Sequence, residues 1–320
     1  MRHGWLAALA MTSAAPTAAE VPFLALPLDC TLGETCFIED YVDADPTFAQ
    51  HDYTCGLKSR DGHQGTDIAL LSQNEIDRGV TVRAAAAGTV QAVRDGVADE
   101  PYTAEVAARI KGQECGNAVR IAHGNGYQTL YCHLKRGSLS VTRGERVEAG
   151  APLGQVGMSG QSNFAHLHFT LLRDAETIDP FNAGASQTCG ADSGSLWLET
   201  PDYARAGLFT AGFSTSVPRL THVQSGAARR ETARPDHDIV LYGFAFHSED
   251  GDQMAFSASG PEGEIFSQTQ TIEDGMAQLF RASGRRAPDG GWPAGGYTGH
   301  VTLLRDGVIL ARRHATIRVE

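Results

Sequence analysis

His166-Leu167-His168-Phe169-Thr170-Leu171 sets two imidazoles against apolar neighbours at every second position. A period of two is the mark of a strand, because successive side chains point to opposite faces. The two histidines then share the face toward a cleft, and Leu167, Phe169 and Leu171 share the face toward a core. Working outward, residues 81–84 and 88–93 read as further strands. Residues 117–122 and 127–134 flank His123-Gly124-Asn125-Gly126, and Asn-Gly between two such runs is a strong hairpin signal. Gly144, Gly150, Gly154, Gly157 and Gly160 punctuate more short strands. The spacing predicts a mainly β, antiparallel unit. A helical insertion is expected over 99–111, where Pro101 stands near the start and Val106 and Ile110 lie four apart.

Two other segments carry chemistry of the same kind. His63-Gln64-Gly65-Thr66-Asp67 offers an imidazole and a carboxylate, both good zinc ligands, with a glycine between them that lets the backbone bend. Tyr131-Cys132-His133-Leu134 closes the second hairpin strand and puts His133 on one face with Tyr131 and Thr129. With 12 histidines in 320 residues, either short motif alone arises readily by chance. Their chain order, strand placement and surroundings are what make them informative.

Taken together, the three segments resemble the lysostaphin/LytM-type zinc metallopeptidases. In that family a His-x-x-x-Asp segment comes first, a Tyr-x-His-Leu strand end follows, and a His-Leu-His-Phe strand closes the site. Here these are His63 with Asp67, Tyr131 to Leu134, and His166 to Phe169. Residues 84–90 resemble the family's alanine-glycine strand, residues 116–124 its central hairpin, and residues 144–157 its glycine-spaced turn. The resemblance covers about residues 60–182 and implies a sheet of the duplicated hybrid motif type. It implies that His63, Asp67 and His168 hold Zn2+, while His133 and His166 stay off the metal and act on water and substrate. Three protein ligands leave a fourth position for water, and the net positive charge of such a site acidifies that water. Which of His133 and His166 is the general base stays open. Two stretches depart from the family pattern. Phe164 and Ala165 stand where small Gly and Pro are usual, which predicts a reshaped substrate groove, and residues 70–80 replace a short proline-containing loop.

Length and composition set the frame. The 320 residues suffice for roughly two domains at ~150 each. The net charge of -12 and the lack of a dense basic run speak against nucleic acid as a partner. The expected organisation is a signal peptide over 1–19, a lead-in over 20–56, the LytM-type zinc peptidase domain over 57–184, and a small immunoglobulin-like β-sandwich over 195–320. The first segment has a short basic start, a short apolar run and small residues before Glu20. No later stretch has the ~20 apolar residues of a membrane span, so no membrane insertion is expected. In the last segment, residues 239–246, 253–259, 298–304 and 308–318 alternate as strands. Tyr242, Phe244 and Phe246 are expected to fill the sandwich core.

Six cysteines in an exported chain imply three disulfides. Connectivity cannot be deduced from the sequence. The preferred pairs are Cys30–Cys36 as a local loop, Cys115–Cys132 across a hairpin, and Cys55–Cys189 by elimination. His51, His222, His237, His247, His300 and His314 have no suitably placed sequence partners and read as surface residues. His123 reads as shaping the hairpin turn. There is no Gly-x-Ser-x-Gly elbow for a serine nucleophile.

The functional expectation is a zinc metalloendopeptidase that cuts peptide cross-links of peptidoglycan. It is placed in the periplasm of a Gram-negative bacterium or secreted, and the resemblance implies D,D-endopeptidase specificity. The rival is a non-catalytic wall-binding regulator of a separate amidase, marked in relatives by lost ligands. A third reading has the C-terminal sandwich dock a protein partner or the wall. The lead-in, just ahead of His63, is also a candidate to lie over the groove and restrain it.

Overall fold

A computed structural model describes residues 22–191 and 193–320. The expected signal peptide, residues 1–19, lies outside the described residues. The fold is mainly β and overwhelmingly antiparallel. The larger sheet orders its strands Cys36–Asp40, Thr66–Leu70, His166–Arg173, Tyr127–Leu134, Asn117–Gly124, Gly88–Arg94 and Arg146–Val147, with Glu176–Ile178 pairing on His166–Arg173. A two-stranded ribbon, Thr81–Arg83 with Pro152–Gln155, contributes Val82 and Leu153 to the same core as this sheet.

The core beneath this sheet takes the residues that alternation assigned to it, including Leu167, Phe169 and Leu171, together with Ile68, Val119, Ile121 and Tyr131. The hairpin turns at Asn125 and Gly126, which both have positive φ, 48° and 79°, the geometry that makes Asn-Gly favoured there. The lead-in is built into this fold. Leu24, Leu28, Ile38 and Tyr41 are core residues, and Cys36–Asp40 forms the sheet edge beside Thr66–Leu70. The helical insertion is shorter than the sequence suggests, Ala104–Arg109 only. Thr103 caps it by accepting from Val106 N, which leaves Pro101 outside, and Gly112 at φ 76° follows its end.

The C-terminal part packs a three-stranded sheet, Gly207–Ser214, Ile239–Phe246 and Gln278–Arg285, on a five-stranded one. In the latter, Gly295–Arg305 and Val308–Val319 form a long hairpin turning at Asp306 and Gly307. Thr232–Ala233 adds on in parallel, an exception to the antiparallel pattern. All eight residues of Ile239–Phe246 are buried, because the strand is covered on both faces. Ile239, Leu241 and Ala245 face Phe256, Val301 and Ile317 in the sandwich core. Tyr242, Phe244 and Phe246 do not fill that core as expected. They turn the other way and pack with Phe209 against Phe37, Ala69 and Phe164 of the first sheet's region. Phe164 lies 5.3 Å from Phe209 and 5.8 Å from Phe244, ring centre to ring centre. The bulky residue that departs from the family pattern is therefore a seam anchor between the two β units.

The other departure ends at the same seam. Within residues 70–80, Gln73 N and Asn74 N donate to Gln224 O and Ser225 O of the helix Leu220–Ser225 at 2.9 and 3.2 Å. The three disulfides are Cys30–Cys36, Cys55–Cys189 and Cys115–Cys132. No helix among the described residues is long and apolar enough to cross a membrane.

Candidate metal centre

Strand register brings the distant motifs together. Asp67 and His168 are direct cross-strand partners, and His168 is flanked on its other side by Cys132, the residue before His133. His63 arrives from a tight turn in which its own N donates to Arg60 O at 2.8 Å and Gly62 N donates to Asp43 Oδ2 at 2.8 Å. Gly65 is required for space rather than for a bend. A Cβ there would meet the His168 ring at 2.6 Å.

The ligand-type atoms of His63, Asp67 and His168 all lie within 4.8 Å of one another. His63 Nε2 is 3.2 Å from His168 Nδ1 and 3.2 Å from Asp67 Oδ2. His168 Nδ1 is 2.7 Å from Asp67 Oδ1. Two imidazole nitrogens and a carboxylate oxygen converging so closely form a donor set that suits zinc.

Backbone carbonyls orient three of the rings. His63 Nδ1 faces Tyr41 O at 2.6 Å, His133 Nδ1 faces Ser159 O at 2.7 Å, and His166 Nδ1 faces Phe164 O at 2.9 Å. A carbonyl can only accept, so each Nδ1 carries the hydrogen and each Nε2 keeps its lone pair. His168 is reversed: Nδ1 points at the centre, and Nε2 lies 3.1 Å from Thr170 Oγ1. His166 Nε2 stands 3.7 Å from Asp67 Oδ1. The His133 ring lies 4.7 Å from that of His166, centre to centre. His133 holds a positive φ of 60° at the strand end, which lifts it out of the regular ladder. The structure thus brings all five sequence-predicted residues to one place.

The electrostatics follow from burial and proximity. Burial alone would raise the Asp67 carboxyl, but the facing His63, His166 and His168 hold it well below the usual carboxylate range. Burial, aided by His166 and His168, pushes the His133 imidazole well below its ordinary value. Burial likewise lowers His168.

Three further groups stand beside the centre without having been expected there. Arg60 donates from Nη2 to Asp67 Oδ2 and approaches His63 Nε2 at 3.0 Å. Its Nε forms an ion pair with Asp40 Oδ2 at 2.9 Å. His247, expected at the surface, is mostly buried, and its Nε2 donates to Asp40 Oδ1 at 2.9 Å. Asp40, Arg60 and His247 line a cleft of about 840 Å3 between residues 50–60 and the sandwich. Arg60 had a visible signal, three residues before His63. Asp40 and His247 had none, being joined to the site only by the fold.

Other histidines are placed elsewhere. His123 bridges Ala87 O and Thr129 Oγ1, both at 2.8 Å, a structural role within the sheet. His300 and His314 do have a partner, each other, across the long hairpin.

Residues 61–180 match the model of peptidase family M23 and form a domain of that kind. A 65-residue stretch is 40% identical to "DD-carboxypeptidase/endopeptidase Mpg" of Neisseria meningitidis serogroup B, covering 20% of this chain and 14% of that protein. Over 121 residues the chain is 30% identical to "Peptidoglycan DD-endopeptidase ShyA" of Vibrio cholerae serotype O1, covering 38% of this chain and 23% of that protein. The chain thus spans less than a quarter of the length of either relative. Among solved structures, the catalytic domain of lysostaphin from Staphylococcus simulans aligns with 44% of this chain and 85% of its own, at 20% identity and a TM-score of 0.28.

Proposed function

With residues 61–180 forming a peptidase M23 domain, we propose that the chain is a zinc-dependent endopeptidase acting on peptide cross-links of peptidoglycan, with D,D specificity. The observation that carries this reading is the convergence of His63, Asp67 and His168 within 4.8 Å, beside two further imidazoles held through Nδ1 by backbone carbonyls. Relatives named as DD-endopeptidases support the substrate class.

His63 Nε2, His168 Nδ1 and an oxygen of Asp67 would hold the metal. Zinc supplies a Lewis acid that polarises the scissile carbonyl and makes a nucleophile available near neutral pH. The chain's own residues do the rest. His133, with its Nδ1 hydrogen held by Ser159 O, presents a lone pair on Nε2 and is the group suited to take a proton there. His166 Nε2 faces the same space, 3.7 Å from Asp67 Oδ1, and is the second group placed to hold or move a proton there. Carbonyl-held Nδ1 atoms fix both rings so that neither needs to reorient during the reaction. Three disulfides fit an oxidising compartment, and we place the protein in the periplasm or outside the cell. The alternative, a non-catalytic regulator, is marked in relatives by lost ligands; the presence of His63, Asp67 and His168 side by side favours the enzyme.

The test is digestion of purified cross-linked sacculi, with fragments identified by mass spectrometry. Expected are monomeric muropeptides cut at the D-alanyl–diaminopimelate bond. Intact cross-links after treatment with zinc-loaded protein would overturn the proposal.

A further inference from the structure

Asp40 and Asp67 are direct cross-strand partners at the point where the ladder between Cys36–Asp40 and Thr66–Leu70 slips register. Like charges placed opposite each other on neighbouring strands repel, and both side chains are nearly buried, at 9% and 3% exposure. Arg60 resolves the conflict by engaging both: its Nε pairs ionically with Asp40 Oδ2 at 2.9 Å, and its Nη2 donates to Asp67 Oδ2. The remaining oxygen of Asp40 accepts from His247 Nε2 at 2.9 Å. A continuous run of hydrogen bonds and one ion pair therefore reaches from the C-terminal sandwich to Asp67.

We propose that His247, Asp40 and Arg60 are positioning residues that fix the Asp67 carboxylate, so that the C-terminal sandwich sets the geometry of the metal centre. This rests on the reading of Asp67 as a ligand. A carboxylate can rotate about its Cβ–Cγ bond and offer either or both oxygens. Here Arg60 Nη2 engages Oδ2 and also approaches His63 Nε2 at 3.0 Å, while Oδ1 faces His168 Nδ1 at 2.7 Å. A guanidinium is a rigid planar fork, so holding one edge orients the other. Asp40 holds the first edge, and His247 holds Asp40. His247 is itself anchored on the sandwich side: its N donates to Ala277 O at 2.9 Å and its O accepts from Arg305 Nη2 at 3.1 Å. Arg305 in turn is gripped by both oxygens of Asp252, at 2.8 and 3.0 Å. Partners that orient a ligand from outside the coordination sphere typically matter 10–100-fold in affinity or activity.

The experiment uses the full chain and two readouts: zinc affinity by competition with a chromophoric chelator, and kcat and KM on a cross-linked muropeptide. In His247→Ala, zinc affinity is expected to fall about tenfold, and kcat to fall while KM stays near the parent value. In His247→Gln, an amide Nε2 can again donate to Asp40, and affinity is expected to return to within about threefold of the parent. Arg60→Lys keeps the charge but loses the fork, so it should behave like His247→Ala. Parent-level affinity in His247→Ala and Arg60→Lys, or equal losses in the Ala and Gln variants of His247, would overturn the relay. A parent protein that takes up no zinc fails the ligand reading instead, so the two failures are distinguishable.

Discussion

Asp67 Oδ1 and His168 Nδ1 meet at 2.7 Å across neighbouring antiparallel strands, although 101 residues separate them in the chain. Asp67→Asn keeps the shape of this pair and removes its charge. A neutral amide is a far poorer zinc ligand than a carboxylate. The substitution is expected to weaken zinc binding by at least about 100-fold, beyond the range typical of outer partners. Elemental analysis after equilibration with a chelator measures it, and parent-like zinc content would remove Asp67 from the ligand set.

His133 lies off the ligand triangle, with its Nδ1 spent on Ser159 O. His133→Ala should therefore keep its zinc and lose turnover by about 100-fold or more, the range of a general acid–base group. Zinc content and kcat measured on the same sample separate the two effects. Loss of both together would make His133 a determinant of metal binding.

Phe164 is fully enclosed by the aromatic seam with Phe209 and Phe244. Removing a buried phenyl ring costs about 3 kcal/mol or more, so Phe164→Ala should lower unfolding stability by that amount in urea. Val217→Ser, at a side chain 70% exposed, is the control and should change stability by less than ~0.5 kcal/mol. Similar, small effects in both variants would mean the seam carries no weight.

Glu39 predicts a pH dependence. Burial first, and the Asp40 charge second, push its carboxyl up to about 8, from 4.5. Between those values the folded chain keeps a proton that the unfolded chain releases. Stability therefore falls as pH rises through that window. Glu39→Gln retains an acceptor for Gln278 Nε2, which now donates to Glu39 Oε1 at 2.6 Å, and it has no proton to lose. Its stability relative to the parent should be greater at pH 8 than at pH 5 by at least about 1 kcal/mol. Denaturant melts at the two pH values test this, and equal offsets would refute it.

The sequence was most legible where one local period decides the outcome. Alternation in residues 166–171 placed two imidazoles over an apolar underside, and Asn-Gly placed the hairpin turn. Local spacing also pointed to the nearer disulfides. It failed where two units meet. Phe164 and residues 70–80 stood out as departures, but their reason lies in Phe209, Phe244 and the helix Leu220–Ser225, which no nearby residue announces. Tyr242, Phe244 and Phe246 alternate as any buried strand does, and alternation cannot say which of two covered faces they join. His247 and Asp40 are 207 positions apart, so their contact exists only in the folded chain.

Strand Ile239–Phe246, enclosed on both sides, has a practical consequence for anyone rebuilding this protein. The C-terminal half is not a portable tag. Cut free of its companion, it would present Phe209, Tyr242, Phe244 and Phe246 to water as a sticky plate. The companion alone would bare Phe37 and Phe164 in the same way. Chimeras that trade either half must therefore carry a matched counterpart, chosen ring for ring, or they will clump.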